Sequence, residues 1–240
     1  MTEMLYQMDS YVKEFEAKVT GHDLENHGLI LDKTAFYPGG GGQPADSGFI
    51  LDRDTEFAMK RVKRIEGKYV HLIEGEAALP SIGTAIKGII NWDHRYELMR
   101  THTAMHILCG VVFRDYGASV TGGNMDPLKG RMDFEFETMK QELVHDIEIA
   151  INKEIDNARD LNVKILPRKE AFEIPDLIRT KINLLPENIQ EVRVVEIEGL
   201  DVQADGGTHV KNTSEVGRIK VTDYKSKGKI NKRIYVEIVK

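Results

Sequence analysis

Along the first ninety residues apolar and polar positions alternate in short runs. Phe15–Thr20, Gly28–Asp32, Phe57–Val62, Lys68–Ile73 and Ala85–Ile90 each read as a strand, separated by Gly, Pro, Asn and Asp. Short strands at this spacing predict a small β-barrel or sandwich. The pattern changes at Asn91-Trp92-Asp93. From there Tyr96, Met99, Ala104, Ile107, Leu108, Val111 and Val112 recur at helical spacing up to Tyr116. Asn91 or Asp93 can cap that helix and Gly117 can end it. Arg131–Phe136 alternates as a strand. A second helix is predicted over Lys140–Ala158, with Leu143, Ile147, Ala150, Ile151 and Ile155 on one face. Asn162–Leu166 and Val192–Ile197 read as strands, and Gly217–Val221 with Arg233–Val239 as a final hairpin around Ser226–Lys229. The expectation is an α+β protein of two domains. A β-barrel-like domain spans 1–90, and an α+β domain with helices packed on an antiparallel sheet spans 91–240.

Two histidine pairs carry candidate chemistry. His102 and His106 lie four apart on the first predicted helix, so they share a face and both rings can reach one metal ion. Asp205 and His209 repeat the spacing across Gly206-Gly207-Thr208, in a predicted loop where two glycines allow a tight path. Three neutral imidazoles and one carboxylate form a sensible tetrahedral zinc set. Cys109 falls on the same helix face, one turn beyond His106, and reads as a small buried residue.

Composition narrows the setting. The 240 residues carry 33 Lys+Arg against 39 Asp+Glu, so the protein does not have the footprint of one that coats nucleic acid nonspecifically. Local patches still allow an RNA partner. They are Lys60–Arg64, and Arg218–Arg233 with seven bases and one acid. No apolar run approaches the ~20 residues of a membrane-spanning helix, and the N-terminal residues lack the apolar core of a secretory signal. The single cysteine excludes an intrachain disulfide, so a reducing cytoplasm is the expected location.

The stretch Asp93–Leu108, together with Gly206-Gly207-Thr208-His209-Val210, resembles the AlaX family, free-standing homologues of the alanyl-tRNA synthetase editing domain. The resemblance extends to Arg218–Lys220 and the Ser226–Lys229 turn. In the N-terminal domain, Leu31–Gly48 is similar to the glycine-rich segment of the longer members, so it covers nearly the whole chain. It departs at Asp205, where the family pattern has cysteine. A hard carboxylate there replaces a soft thiolate.

The resemblance implies a zinc-dependent hydrolase acting on mischarged tRNA for alanine, removing serine or glycine from its 3′ end. It implies no DNA or membrane partner. His102, His106, Asp205 and His209 are the expected metal ligands. Gln43 is the candidate partner of the substrate or the attacking water, and Thr34 the candidate reader of the serine hydroxyl. Gly40, Gly41, Gly42 and Thr208 are candidate substrate-binding positions, the glycines because bare backbone N–H groups can approach an ester closely. Four protein ligands would leave no open tetrahedral position, which ranks substrate orientation at least equal to water activation. Two other readings stay open. One is a tRNA-binding or zinc-stabilised module that has lost catalysis through Asp205. The other is removal of serine from tRNA for threonine.

Overall fold

A computed structural model describes residues 2–136, 140–180, 185 and 188–239. The described chain folds into two compact units, Met1–Tyr96 and Glu97–Lys240. The first contains β1 (Glu3–Met4), β2 (Glu14–Asp23), β3 (Gly28–Leu31), β4 (Lys33–Thr34), β5 (Gly48–Asp52), β6 (Thr55–Ile65), β7 (Lys68–Ile73) and β8 (Ala85–Ile90). Six of these close a barrel in the order β2-β3-β7-β6-β5-β8, and β1 pairs with β4 in parallel beside it. Alternation explains the barrel. In β2, Phe15, Ala17 and Val19 point inward while Glu14, Glu16, Lys18 and Thr20 are exposed. The inward residues meet Leu29, Leu31, Phe36, Ile50, Met59, Val62 and Ile86 in one core. Strand β5 has no counterpart among the predicted strands, because it follows the glycine-rich segment and shows only one clear alternation, exposed Phe49 between buried Gly48 and Ile50.

The second unit is built around helix α1 (Trp92–Tyr116), which starts in the first unit. Asn91 is the cap: its Oδ1 accepts from the His94 amide and its carbonyl from the Arg95 amide. Gly117 ends the helix at φ 63°, its amide bonded to the Phe113 carbonyl. Every residue from Thr101 to Val112 is buried. Such a helix carries no polar stripe, so its buried polar residues need specific partners.

Two antiparallel sheets complete this unit. One has the order β14-β15-β10-β9, formed by β9 (Val120–Asp126), β10 (Lys129–Glu135), β14 (Ile219–Ser226) and β15 (Asn231–Ile238). The other is β11 (Leu161–Pro167), β12 (Glu191–Ile197) and β13 (Asp201–Ala204). Helix α2 (Gln141–Asp156) lies along the edge strand β14. Asn152 bonds both the amide and the carbonyl of Ile219, and Glu148 accepts from the Val221 amide. A short helix, α3 (Arg168–Ala171), follows β11. These features make the α+β class explicit.

Glycines set how closely the sheets approach α1. A Cβ on Gly130 of β10 would come within 2.4 Å of the Met105 sulfur. A Cβ on Gly110 would stand 2.9 Å from the Leu200 side chain and 3.1 Å from its carbonyl oxygen. The turn leading into β13 is thereby seated against the helix face that carries His106.

Several sequence-derived bounds shift. Helix α2 stops at Asp156, because Ala158 sits at φ 49° outside the helical region. Its buried stripe runs through Val144, Ile147, Ile151 and Ile155 and includes the ion-paired Glu154, while Leu143 and Ala150 are only half-buried. The final hairpin begins at Ile219, since Thr213–Val216 form a 3-10 turn capped by Asn212. Strands β9 and β13 are likewise absent from the sequence pattern. The first contains Gly122 and Gly123 and buries only Val120 and Met125, and the second has four residues.

Candidate metal centre

Helix geometry places His102 and His106 one turn apart on α1, ring centroids 5.1 Å from each other. The segment after β13 brings His209 beside both, at 4.2 Å from the His102 ring and 4.7 Å from the His106 ring. Asp205 completes the group. One nitrogen from each imidazole and one Asp205 oxygen all lie within 4.8 Å of one another. Both predicted pairs therefore converge into a single cluster.

The turn that delivers Asp205 and His209 is built by Asp205 itself. Its Oδ2 accepts from the Gly207 amide at 2.7 Å, a side-chain turn of the Asx type. Neither Gly206 nor Gly207 takes a positive φ, so the tight path comes from the aspartate rather than from glycine conformations. Arg193 anchors the start of the turn, donating to the Asp205 carbonyl at 3.0 Å while its own carbonyl accepts the Asp205 amide. Asp205 Oδ2 also lies 3.0 Å from His209 Nε2, and Oδ1 lies 3.5 Å from His102 Nε2.

Each imidazole is held from behind. His209 Nδ1 meets the Thr103 hydroxyl at 3.2 Å, and that hydroxyl also accepts from the Val210 amide. His102 is hydrogen-bonded to the backbone of Thr208. His106 Nδ1 meets Asp201 Oδ2 at 3.0 Å. Thr208 itself is fully buried beneath the site.

The electrostatics separate the three rings. Burial pushes the His102 pKa down to about 4, against the pull of the Asp205 charge. Burial, aided by the neighbouring His102, also carries His209 well below its ordinary value. For His106 burial pulls down as well, but the hydrogen bond and charge of Asp201 outweigh it and the pKa rises. Burial alone would raise Asp205. The surrounding imidazoles, led by His102, and the His209 hydrogen bond hold it well below the usual carboxylate range. A half-buried carboxylate beside three imidazoles, two of which burial keeps neutral, is a donor set that a divalent cation fits, and zinc accepts both ligand types. Burial pushes the Cys109 thiol up, which agrees with its reading as a buried helix residue.

The glycine-rich segment lies in the first unit. Gly40 and Gln43 exchange both backbone hydrogen bonds, at 3.1 and 2.9 Å, around Gly41 (φ 57°) and Gly42 (φ 89°). Positive φ at both central residues is the two-residue hairpin turn that glycine accommodates without strain. The Gly40 amide is thus already spent, contrary to the expectation of bare N–H groups at all three glycines. The Gly41 and Gly42 amides have no backbone partner among the described residues. Asp46 closes the loop by accepting from the Tyr37 amide, and the fully buried Arg95 pairs with Asp46 and donates to the Ser10 and Ala35 carbonyls. Gln43 is buried.

Thr34 has no exposed surface, and its hydroxyl stands 2.8 Å from His71 Nε2. The opposite ring nitrogen, Nδ1, faces the Leu29 carbonyl at 3.1 Å. A carbonyl only accepts, so Nδ1 carries the proton and Nε2 accepts from Thr34. Thr34 Oγ1 in turn accepts from the Phe36 amide. Sequence reading missed His71 because it sits in an ordinary strand run. The one available signal was a polar residue beside Val70 in a segment bounded by core positions.

Residues 3–94 match the family model described as tRNA synthetases class II (A), and residues 192–235 match that of the threonyl and alanyl tRNA synthetase second additional domain. The chain is 42% identical to the alanyl-tRNA editing protein AlaX-M of Saccharolobus solfataricus, covering 99% of each chain. It is 40% identical to AlaX-M of Methanosarcina acetivorans over the full length of both. An alanine–tRNA ligase from Ignicoccus hospitalis is 40% identical over 92% of this chain and 24% of the ligase. Full-length agreement at this level, together with the two matched domains, shows that the chain belongs to the AlaX-M family of alanyl-tRNA editing proteins.

Proposed function

We propose that this protein hydrolyses the ester linking serine to the 3′ end of tRNA for alanine, with His102, His106, Asp205 and His209 holding a zinc ion. The observation that carries this reading is the convergence of those four side chains, three buried and Asp205 half-buried, in one cluster of a chain that matches AlaX-M along its whole length. When bound, zinc supplies a positive centre that can orient an aminoacyl group or lower the pKa of a water. The protein's own residues do the rest. The three buried rings keep bulk water from most of the centre, while half-buried Asp205 leaves one side open to a substrate. The Gly41 and Gly42 amides offer two donors to an ester or ribose oxygen. Gln43 supports the substrate or the attacking water at the same loop.

Discrimination follows from the Thr34 hydroxyl. Its proton is committed to His71, so toward a seryl side chain it presents a lone pair and accepts from the serine hydroxyl. Thr34 is buried in the free protein, so this contact requires local opening around β4. Alanine lacks the hydroxyl and leaves that acceptor unmatched. Editing is needed because a synthetase pocket discriminates weakly against an added hydroxyl. The reading is tested by deacylation of Ser-tRNA for alanine against correctly charged Ala-tRNA. Selective loss of serine supports it, and Thr34→Val is expected to narrow the ratio by about tenfold or more. An unchanged ratio removes Thr34 from the account. No hydrolysis of either substrate by a metal-loaded, tRNA-binding protein favours a binding module.

A further inference from the structure

Asp201 is the first residue of β13 and is buried. Its Oδ2 lies 3.0 Å from His106 Nδ1 and 2.7 Å from Gln203 Nε2. Its Oδ1 faces the Arg179 guanidinium at 3.4 Å, and Arg179 is stacked over Phe113 of α1 at 3.8 Å. Gly110 allows this approach, since a side chain there would come within 3.0 Å of the Asp201 Cβ. An ionised carboxylate only accepts, so the shared proton sits on His106 Nδ1 and the Nε2 lone pair is left for the cluster.

The other two rings lean on neutral partners, the Thr103 hydroxyl and the Thr208 backbone. Asp205 stands beside both of them, whereas His106 leans on a second charge, Asp201. Arg179 balances that charge, which would otherwise stand uncompensated in a buried site.

We infer that Asp201, balanced by Arg179, is the positioning residue of the metal centre: it fixes the tautomer and orientation of His106 and makes it the strongest of the three nitrogen donors. The inference rests on the reading of the four-residue cluster as a metal site. Outer carboxylates of this kind typically change metal affinity by about 10–100-fold.

The test is zinc affinity measured against a competing chelator, for the full chain and for Asp201→Asn. The expected result is a dissociation constant raised by about 10–100-fold, with partial recovery in Asp201→Glu. Metal-free thermal unfolding of each variant reports whether the fold is retained. A second readout uses the unaltered protein. Long-range proton–nitrogen NMR of the zinc-loaded chain should show His106 protonated at Nδ1 and coordinated through Nε2. Zinc binding within twofold of the unaltered protein in a folded Asp201→Asn, or coordination of His106 through Nδ1, overturns the role of Asp201. Absence of stoichiometric zinc binding by the unaltered chain overturns the metal reading and this inference with it.

Discussion

His71 shows what a buried titratable group does to stability. Burial pushes its pKa down to about 4, only partly opposed by the hydrogen bond to Leu29. The unfolded chain holds this proton below about pH 6.5 while the folded chain does not. Folding stability from this group is therefore fully present above about 6.5 and is lost as pH falls toward 4. A shift of this size corresponds to about 3 kcal/mol. In metal-free protein, His71→Phe should flatten the slope of unfolding free energy between pH 6.5 and 4 relative to the unaltered chain. An identical slope would mean that His71 titrates normally. At this scale the sequence was informative where spacing does the work, as in His102 with His106. It was silent on Asp201, Arg193 and His71, whose partners lie 95, 12 and 37 residues away.

At the scale of elements, α1 determines most of the centre, and its start, stop and histidine spacing follow from local rules. The burial of its middle, Thr101 to Val112, does not, because that depends on two sheets whose strands come from distant parts of the chain. Gly110 makes the point measurable. Helix propensity alone predicts that Gly110→Ala stabilises by up to about 1 kcal/mol. The added methyl would meet Leu200 and Asp201 at 2.9–3.1 Å, including a backbone carbonyl that cannot rotate away. Overpacking of that kind costs about 1–3 kcal/mol. The expected net outcome is destabilisation of roughly 1 kcal/mol by denaturant unfolding, with weakened metal binding as Asp201 is displaced. A stabilised variant would show that the turn yields freely. The strands invisible to sequence patterning share one cause: β9 and β13 are glycine-containing or too short to show period-two alternation, and only pairing partners define them.

For the whole molecule, the charge runs visible in the sequence are unequal once folded. Lys60, Arg61, Lys63 and Arg64 are all exposed on β6. In the terminal hairpin, Arg218 pairs with Asp156, Lys225 with Asp223 and Arg233 with Asp133, while Lys232 is buried against the Gly228 and Lys229 carbonyls. Spacing cannot reveal which bases are neutralised by acids elsewhere in the chain. The β6 patch is therefore the stronger candidate for binding phosphates. Affinity for tRNA should fall with salt, and replacing the four β6 bases by glutamine should reduce the logarithmic slope by about one for each phosphate no longer neutralised. An unchanged slope assigns phosphate binding to another surface.

In the function proposed here, the three histidines and Asp205 hold the zinc ion on which editing depends. The most direct measurement is single-turnover hydrolysis of Ser-tRNA for alanine by metal-free protein as zinc is titrated in, with His106→Ala measured alongside. Activity should rise linearly to one zinc per chain and stop there, while the variant neither retains zinc nor hydrolyses. Full hydrolysis by the metal-free protein, or by a variant that has lost its zinc, would contradict the account.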